Sequence, residues 1–168
     1  MKKLLQILLL SIILLGCTSE KDITSFNQMG EKFFQIIDNI EKSSYLEFRQ
    51  NFLSRKEVIN ILNDSKFPKE GKINKLYIQF LNMSNEEYDS GLKIDKESYE
   101  GIKEYITSLK KKGRFQFNDF EVTVDPIGLI DIYDGNLKWK IIGDEDKLKN
   151  GHSIFIIYNE VYYPLGFD

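Results

Sequence analysis

Cys17 is the only cysteine and His152 the only histidine in this 168-residue chain. That scarcity decides much of the chemistry. One cysteine cannot form an internal disulfide or a cysteine-based zinc site, and one histidine cannot build a two-histidine metal centre. Gly151-His152-Ser153-Ile154-Phe155 has Gly and Ser at the spacing of a nucleophile elbow, but that turn needs Gly where Phe155 stands. His152 therefore reads as a loop residue at the start of a strand. Asp144-Glu145-Asp146 lacks the further oxygen ligands, the Gly and the closing Glu of a calcium loop, and reads as a solvated turn. Glu86, Glu87, Glu97, Glu100 and Glu104 supply carboxylates of the type a glycoside hydrolase pairs, yet their spacing selects no pair. No phosphate-binding loop and no dinucleotide fingerprint occurs. Asn82-Met83-Ser84 matches a glycosylation sequon by chance. No catalytic residue, metal site or cofactor is expected. The remaining candidates are aromatic: Trp139, Tyr158, Tyr162 and Tyr163 fall on neighbouring strands. Facing one surface, they would form a binding site, because Tyr and Trp are favoured anchors.

Helices come first among the elements that must position these groups. Phe26, Met29, Phe33, Ile36, Ile37 and Ile40 recur at helical spacing and predict an amphipathic helix over 25–42. A short helix follows from Tyr45, Phe48 and Phe52. Ser54-Arg55-Lys56-Glu57 has the form of a capping box, with Val58, Ile59, Ile61 and Leu62 as the apolar face behind it. Phe67 to Gly71 reads as a loop by its Pro and Gly. Ile73, Leu76, Tyr77, Phe80 and Leu81 are again helically spaced, and Ser84 with Glu87 forms a second capping box. From Glu86 to Lys112 one stripe continues as one helix or two, with Asp95 falling on it. Lys110, Lys111 and Lys112 complement a helix C-terminus before Gly113 stops it.

After Gly113 the period changes to two. Phe115 and Phe117, then Phe120, Val122 and Val124, alternate with polar residues, and the shift at Asn118-Asp119 predicts a bulge. Asp125-Pro126 closes that strand. Asp134-Gly135-Asn136, flanked by Ile130, Ile132, Leu137, Trp139 and Ile141, reads as a hairpin turn, with Lys138 and Lys140 facing water. A polar loop over 143–151 precedes a strand over 153–158, and Asn159-Glu160 turns into Val161-Tyr162-Tyr163. The expectation is an α+β fold: N-terminal amphipathic helices packed on a C-terminal antiparallel sheet of about five strands, in a single domain over 25–168.

The N-terminus has a different character. Lys2 and Lys3 precede Leu4 to Leu15, an apolar run broken by Gln6 and Ser11, and Gly16-Cys17 follows. That is the layout of a secretory signal. As a helix, the twelve apolar-run residues reach about 18 Å, short of the roughly 30 Å hydrocarbon core. The ending Leu14-Leu15-Gly16-Cys17 resembles the lipobox of bacterial lipoprotein precursors. The resemblance implies a signal peptide over 1–16, cleavage between Gly16 and Cys17 by signal peptidase II, and a diacylglyceryl thioether and an N-acyl group on Cys17. Leu15 departs from the smaller residue commoner at its place. A thioether would also cap a thiol that has no partner in an oxidising compartment. Thr18 to Thr24 are polar and aperiodic, so 17–24 reads as a lipidated tether. Thr18, not Asp, follows the Cys, so the inner-membrane retention signal of enteric bacteria is missing. Glu20 and Asp22 around Lys21 are similar to surface-export signals of Bacteroidota lipoproteins. The order of helices and strands, with Trp139 in Leu137-Lys138-Trp139-Lys140-Ile141, resembles the nuclear transport factor 2-like and cystatin-like group over 25–142, a fold that implies no particular activity.

The net charge of −3 opposes recognition driven by phosphate neutralisation, so no nucleic-acid partner is expected. With 42% hydrophobic residues the chain is too apolar for disorder. It has no Ala and only three Arg, with abundant Ile, Lys and Asn, the residues of A/T-rich codons. The expectation is a lipid-anchored cell-envelope protein in the outer membrane of a low-GC Gram-negative bacterium. Its partners are the membrane, through the anchor, and an envelope protein, and its domain is a binding or accessory module. Two alternatives stand beside it: an immunity- or inhibitor-type lipoprotein that binds a toxin or enzyme, and an envelope hydrolase.

Overall fold

The structure, a computed structural model, describes residues 23–64, 72–124, 132–142 and 148–167. The leader, Cys17, the Phe67–Gly71 loop, Asp125-Pro126, Ile130 and Asp144-Glu145-Asp146 lie outside these residues. The protein is α+β. The described helices are α1 (Phe26–Asn39), α2 (Tyr45–Arg49), α3 (Arg55–Leu62), α4 (Lys72–Asn82), α5 (Asn85–Gly91) and α6 (Lys96–Lys110). The described strands are β1 (Arg114–Val124), β2 (Ile132–Ile142), β3 (Leu148–Tyr158) and β4 (Val161–Phe167), antiparallel in the order β1-β2-β3-β4.

Five of the described helices start where the sequence supplies a cap. Ser25 accepts from the Gln28 N–H to open α1. Reciprocal Ser–Glu boxes open three others: Ser44 with Glu47 at α2, Ser54 with Glu57 at α3, and Ser84 with Glu87 at α5. In each, the serine oxygen and the glutamate carboxylate satisfy amides that the first turn leaves without intrahelical partners. Asp95 caps α6 by accepting from the Ser98 N–H at 2.7 Å. That accounts for a carboxylate on an apolar stripe, and it divides the stretch 85–110 into two helices.

The sheet corrects two expectations. It has four strands among the described residues, not five, and Asp134-Gly135-Asn136 is no hairpin turn. These residues lie inside β2, paired with Thr123, Val122 and Glu121 on one side and with Ile154, Ser153 and His152 on the other. The reason is steric. Gly135 is buried, and a Cβ on it would overlap the ring of Phe120. Glycine is there to admit a neighbouring aromatic ring, not to turn the chain. The two arms of the expected hairpin are one strand, and the expected count falls accordingly. The bulge at Asn118-Asp119 is present as a register shift between Phe117 and Asp119. The Asn159-Glu160 turn is present too, with φ of 52° and 66°, the positive values that a two-residue hairpin of right-handed twist needs. Lys138 and Lys140 are half-buried, and Lys138 pairs with Glu121.

Helix α1 crosses the face that carries Phe120 and Phe155. Phe33 lies against Phe120 and Phe167 with ring centroids 6.2 and 5.6 Å away, and Phe26 against Tyr133, Phe155 and Tyr162. Helix α6 packs on α1 and anchors it through Lys110, whose ammonium lies 2.9 Å from Asp38 and 3.3 Å from Glu41. The opposite face is covered near β4 as well. Ile156 there is fully buried, and Tyr158 donates to Asp64 just beyond α3. The helical half therefore wraps around the β4 edge of the sheet.

Candidate functional site

An open edge strand exposes unpaired amides and carbonyls and invites pairing with other chains. Here three segments cap the β4 edge one hydrogen bond at a time. Tyr162 N–H donates to the Ile23 carbonyl at 2.8 Å, Leu53 N–H donates to the Pro164 carbonyl at 3.0 Å, and Phe167 N–H donates to the Leu92 carbonyl at 2.9 Å. Pro164 has no N–H of its own, which removes one donor from that edge. Between the Ile23 and Leu53 contacts the cover by the described residues is incomplete, and a groove of about 710 Å³ opens. Its floor and walls are β4 from Val161 to Pro164, the link from Gln50 to Ser54, α2 and Lys32 of α1. The volume is that of a small-molecule or peptide side-chain site. A smaller hollow of about 180 Å³ adjoins it and shares Lys32, Glu47 and Asn51.

Four charged or amide side chains of the groove, Glu47, Arg49, Asn51 and Glu57, are engaged by the protein itself. The Glu47 carboxylate accepts from the Ser44 N–H at 2.7 Å and from its hydroxyl at 2.8 Å. Glu57 accepts from the Ser54 N–H at 2.7 Å and from its hydroxyl at 2.6 Å. Asn51 donates its amide to the carbonyls of Glu47 and Phe48. Arg49 makes a two-pronged contact with Asp89, at 2.9 and 2.8 Å, and donates to the Phe52 carbonyl at 2.9 Å. These contacts set the electrostatics. The Ser44 amide and then its hydroxyl hold Glu47 below its ordinary value, and the Ser54 hydroxyl and then its amide do the same for Glu57. A carboxylate that serves as a general acid near neutrality needs its pKa raised, so these two are placed to shape and charge the wall rather than to donate a proton. Among the described residues, no three His, Cys, Asp or Glu side chains converge so as to hold a metal ion.

The structure divides the four aromatic candidates. Tyr162 and Tyr163 line the groove. Tyr158 lies just before the β3–β4 turn, and its hydroxyl, tied to Asp64, is pushed up by that bond and by burial. Trp139 is elsewhere. It pairs with Lys149 in the sheet, stacks on Phe115 and is 3% exposed. Along β3 that is eight residues from Ile157, the partner of Tyr162, or roughly 27 Å. Its indole nitrogen is buried with no hydrogen-bond partner among the described residues. The expectation of one aromatic surface over all four positions thus narrows to Tyr162 and Tyr163. His152 stands opposite Asn136 inside the sheet, not in a loop. Glu86, Glu97, Glu100 and Glu104 are exposed on α5 and α6, while Glu87 completes the α5 capping box.

Sequence reasoning did not find Lys32, Glu47, Arg49 or Leu53. The pattern Ser44-Tyr45-Leu46-Glu47 was open to the same capping-box reading as Ser54 to Glu57. The Leu53–Pro164 and Arg49–Asp89 contacts join residues far apart in sequence and leave no local signal.

Comparison of the chain with protein-family models, with curated proteins and with solved structures finds no match. Among the described residues, no helix is long and apolar enough to cross a membrane.

Proposed function

We propose that this protein is a cell-envelope lipoprotein, moored in the outer membrane of a low-GC Gram-negative bacterium by acyl groups on Cys17, whose α+β domain is a binding or accessory module. The observation that carries this reading is the position of Cys17. The only thiol in the chain directly follows Gly16 at the end of a lysine-led apolar run. Two or three acyl chains, at about 0.8 kcal/mol per buried methylene, anchor a domain that one chain would hold only reversibly. The groove beside β4 supports a binding role, because the two carboxylates that line it, Glu47 and Glu57, are committed to helix caps.

Two experiments test the reading. Cells producing the full chain are fed an alkyne fatty acid. Wild type takes up the label and fractionates with membranes, whereas Cys17→Ser does neither. Label that persists in the Cys17→Ser protein contradicts the anchor. For the groove, a photo-crosslinking residue is placed at Gln50, on its wall, and separately at Ile142, which is exposed at the far end of β2. A specific adduct from position 50 alone supports groove binding. Identical adducts from both positions, or adducts from 142 alone, contradict it.

A further inference from the structure

Ile23, the first described residue, lies at one end of the sheet. Ile23 is bonded to Tyr162, next to the Asn159-Glu160 turn and at the end of β2 where Tyr133 lies. Phe26 lies there too, 37% exposed, with its ring 5.3 Å from those of both Tyr133 and Tyr162. Tyr163 and the groove adjoin it. Resting on the anchor reading above, the covalent distance is short. Six residue steps join Cys17 to Ile23, and even fully extended they span only about 20 Å. The opposite end of the sheet, where Arg114 pairs with Ile142, is nine residues along β2 from Tyr133, or about 30 Å further.

We propose that the end bearing Phe26, Tyr162 and Tyr163 is apposed to the phospholipid headgroup layer, so that the groove opens within a tether's length of the leaflet. The side chains suit that position. Aromatic rings with an apolar body settle at the headgroup level of bilayers, and tyrosine adds a polar tip for the wet side. A rival surface exists at the far end. Lys111, Lys112 and Arg114 are exposed there, and anionic lipid would attract them. The five residues between Cys17 and Ile23 set the near end against that attraction.

The test uses the full, acylated protein in vesicles of phosphatidylethanolamine and phosphatidylglycerol that carry a dansyl-headgroup lipid. Energy transfer from an added tryptophan is compared between Thr24→Trp, Phe26→Trp and Ile142→Trp, against the buried Trp139 common to all. Thr24 is exposed, so its variant keeps the test valid should Phe26→Trp disturb the aromatic cluster. Transfer several-fold stronger from positions 24 and 26 than from 142 is expected. Equal transfer, or stronger transfer from 142, overturns the inference while leaving the anchor intact. Protein with no acyl mass on Cys17 overturns the anchor reading, and the inference with it.

Discussion

Phe120 sits between two glycines that are distant in sequence. A Cβ at Gly30, on α1, or at Gly135, in β2, would overlap the Phe120 side chain. The ring also meets Phe33 at 6.2 Å and Phe155 at 6.0 Å. Helix and sheet thus approach closely because two positions have no side chain and a third fills the space. Gly135→Ala is expected to cost about 1–3 kcal/mol, as overpacking does, read as a lower urea midpoint at unchanged slope. Phe120→Ala is expected to cost about 3–5 kcal/mol. A Gly135→Ala, Phe120→Leu double variant should lose less than the sum of its singles, because the smaller residue relieves the overlap. Strict additivity would contradict the clamp. This is also where the sequence misled. Asp-Gly-Asn carries the local signature of a turn, and only a contact from another strand reveals that Gly135 serves packing.

At the scale of the element, the helix starts at Ser54 and Ser84 were legible because a capping box is contained within four residues, whereas the box at Ser44 and the Asp95 cap were not read. The boxes at Ser54 and Ser84 and the Asn159-Glu160 turn can be read locally, and so can the bulge beside Asp119. Strand extents were less legible. β4 runs to Phe167 and β3 begins at Leu148, beyond the alternation, because pairing with neighbours and the cover from Ile23, Leu53 and Leu92 extend them. The caps carry a pH dependence of definite sign. Glu47 and Glu57 are held below the ordinary 4.5. Their contribution to stability is therefore complete above that value and drains away as the pH falls through their depressed values. Ser44→Ala and Ser54→Ala are each expected to cost about 1 kcal/mol at neutral pH. For each variant, the gap to wild type in urea unfolding should narrow as the pH is taken below 4.5. A gap that widens in acid would contradict the assignment. Leu53→Pro removes the N–H given to the Pro164 carbonyl. It should loosen the groove wall, seen as faster hydrogen exchange in β4 with the α1–α6 contacts retained.

At the scale of the molecule, the division into a helical half and a sheet half follows from the change of period after Gly113, and it was plain in the sequence. How the helices wrap around the β4 edge was not, since it depends on contacts such as Tyr88 hydroxyl to the Leu53 carbonyl at 3.2 Å and Arg49 to Asp89. The Arg49–Asp89 pair ties α2 to α5 and is only about one-fifth exposed on either side. Asp89→Asn strips Arg49 of its counter-charge and should lower the thermal midpoint and open the groove wall together. An unchanged midpoint would show the pair to be no more than a surface contact. Only Tyr162 and Tyr163 of the candidate surface were found by sequence, because β4 carries them locally. The rest of the groove is assembled from three separate segments. The claim on which the functional reading rests is the covalent state of Cys17, and the intact mass of the protein extracted from membranes tests it most directly. The expected mass is that of a chain that begins at Cys17 and carries a diacylglyceryl thioether with an N-acyl group. A chain that retains residues 1–16 with an unmodified Cys17 thiol would contradict it.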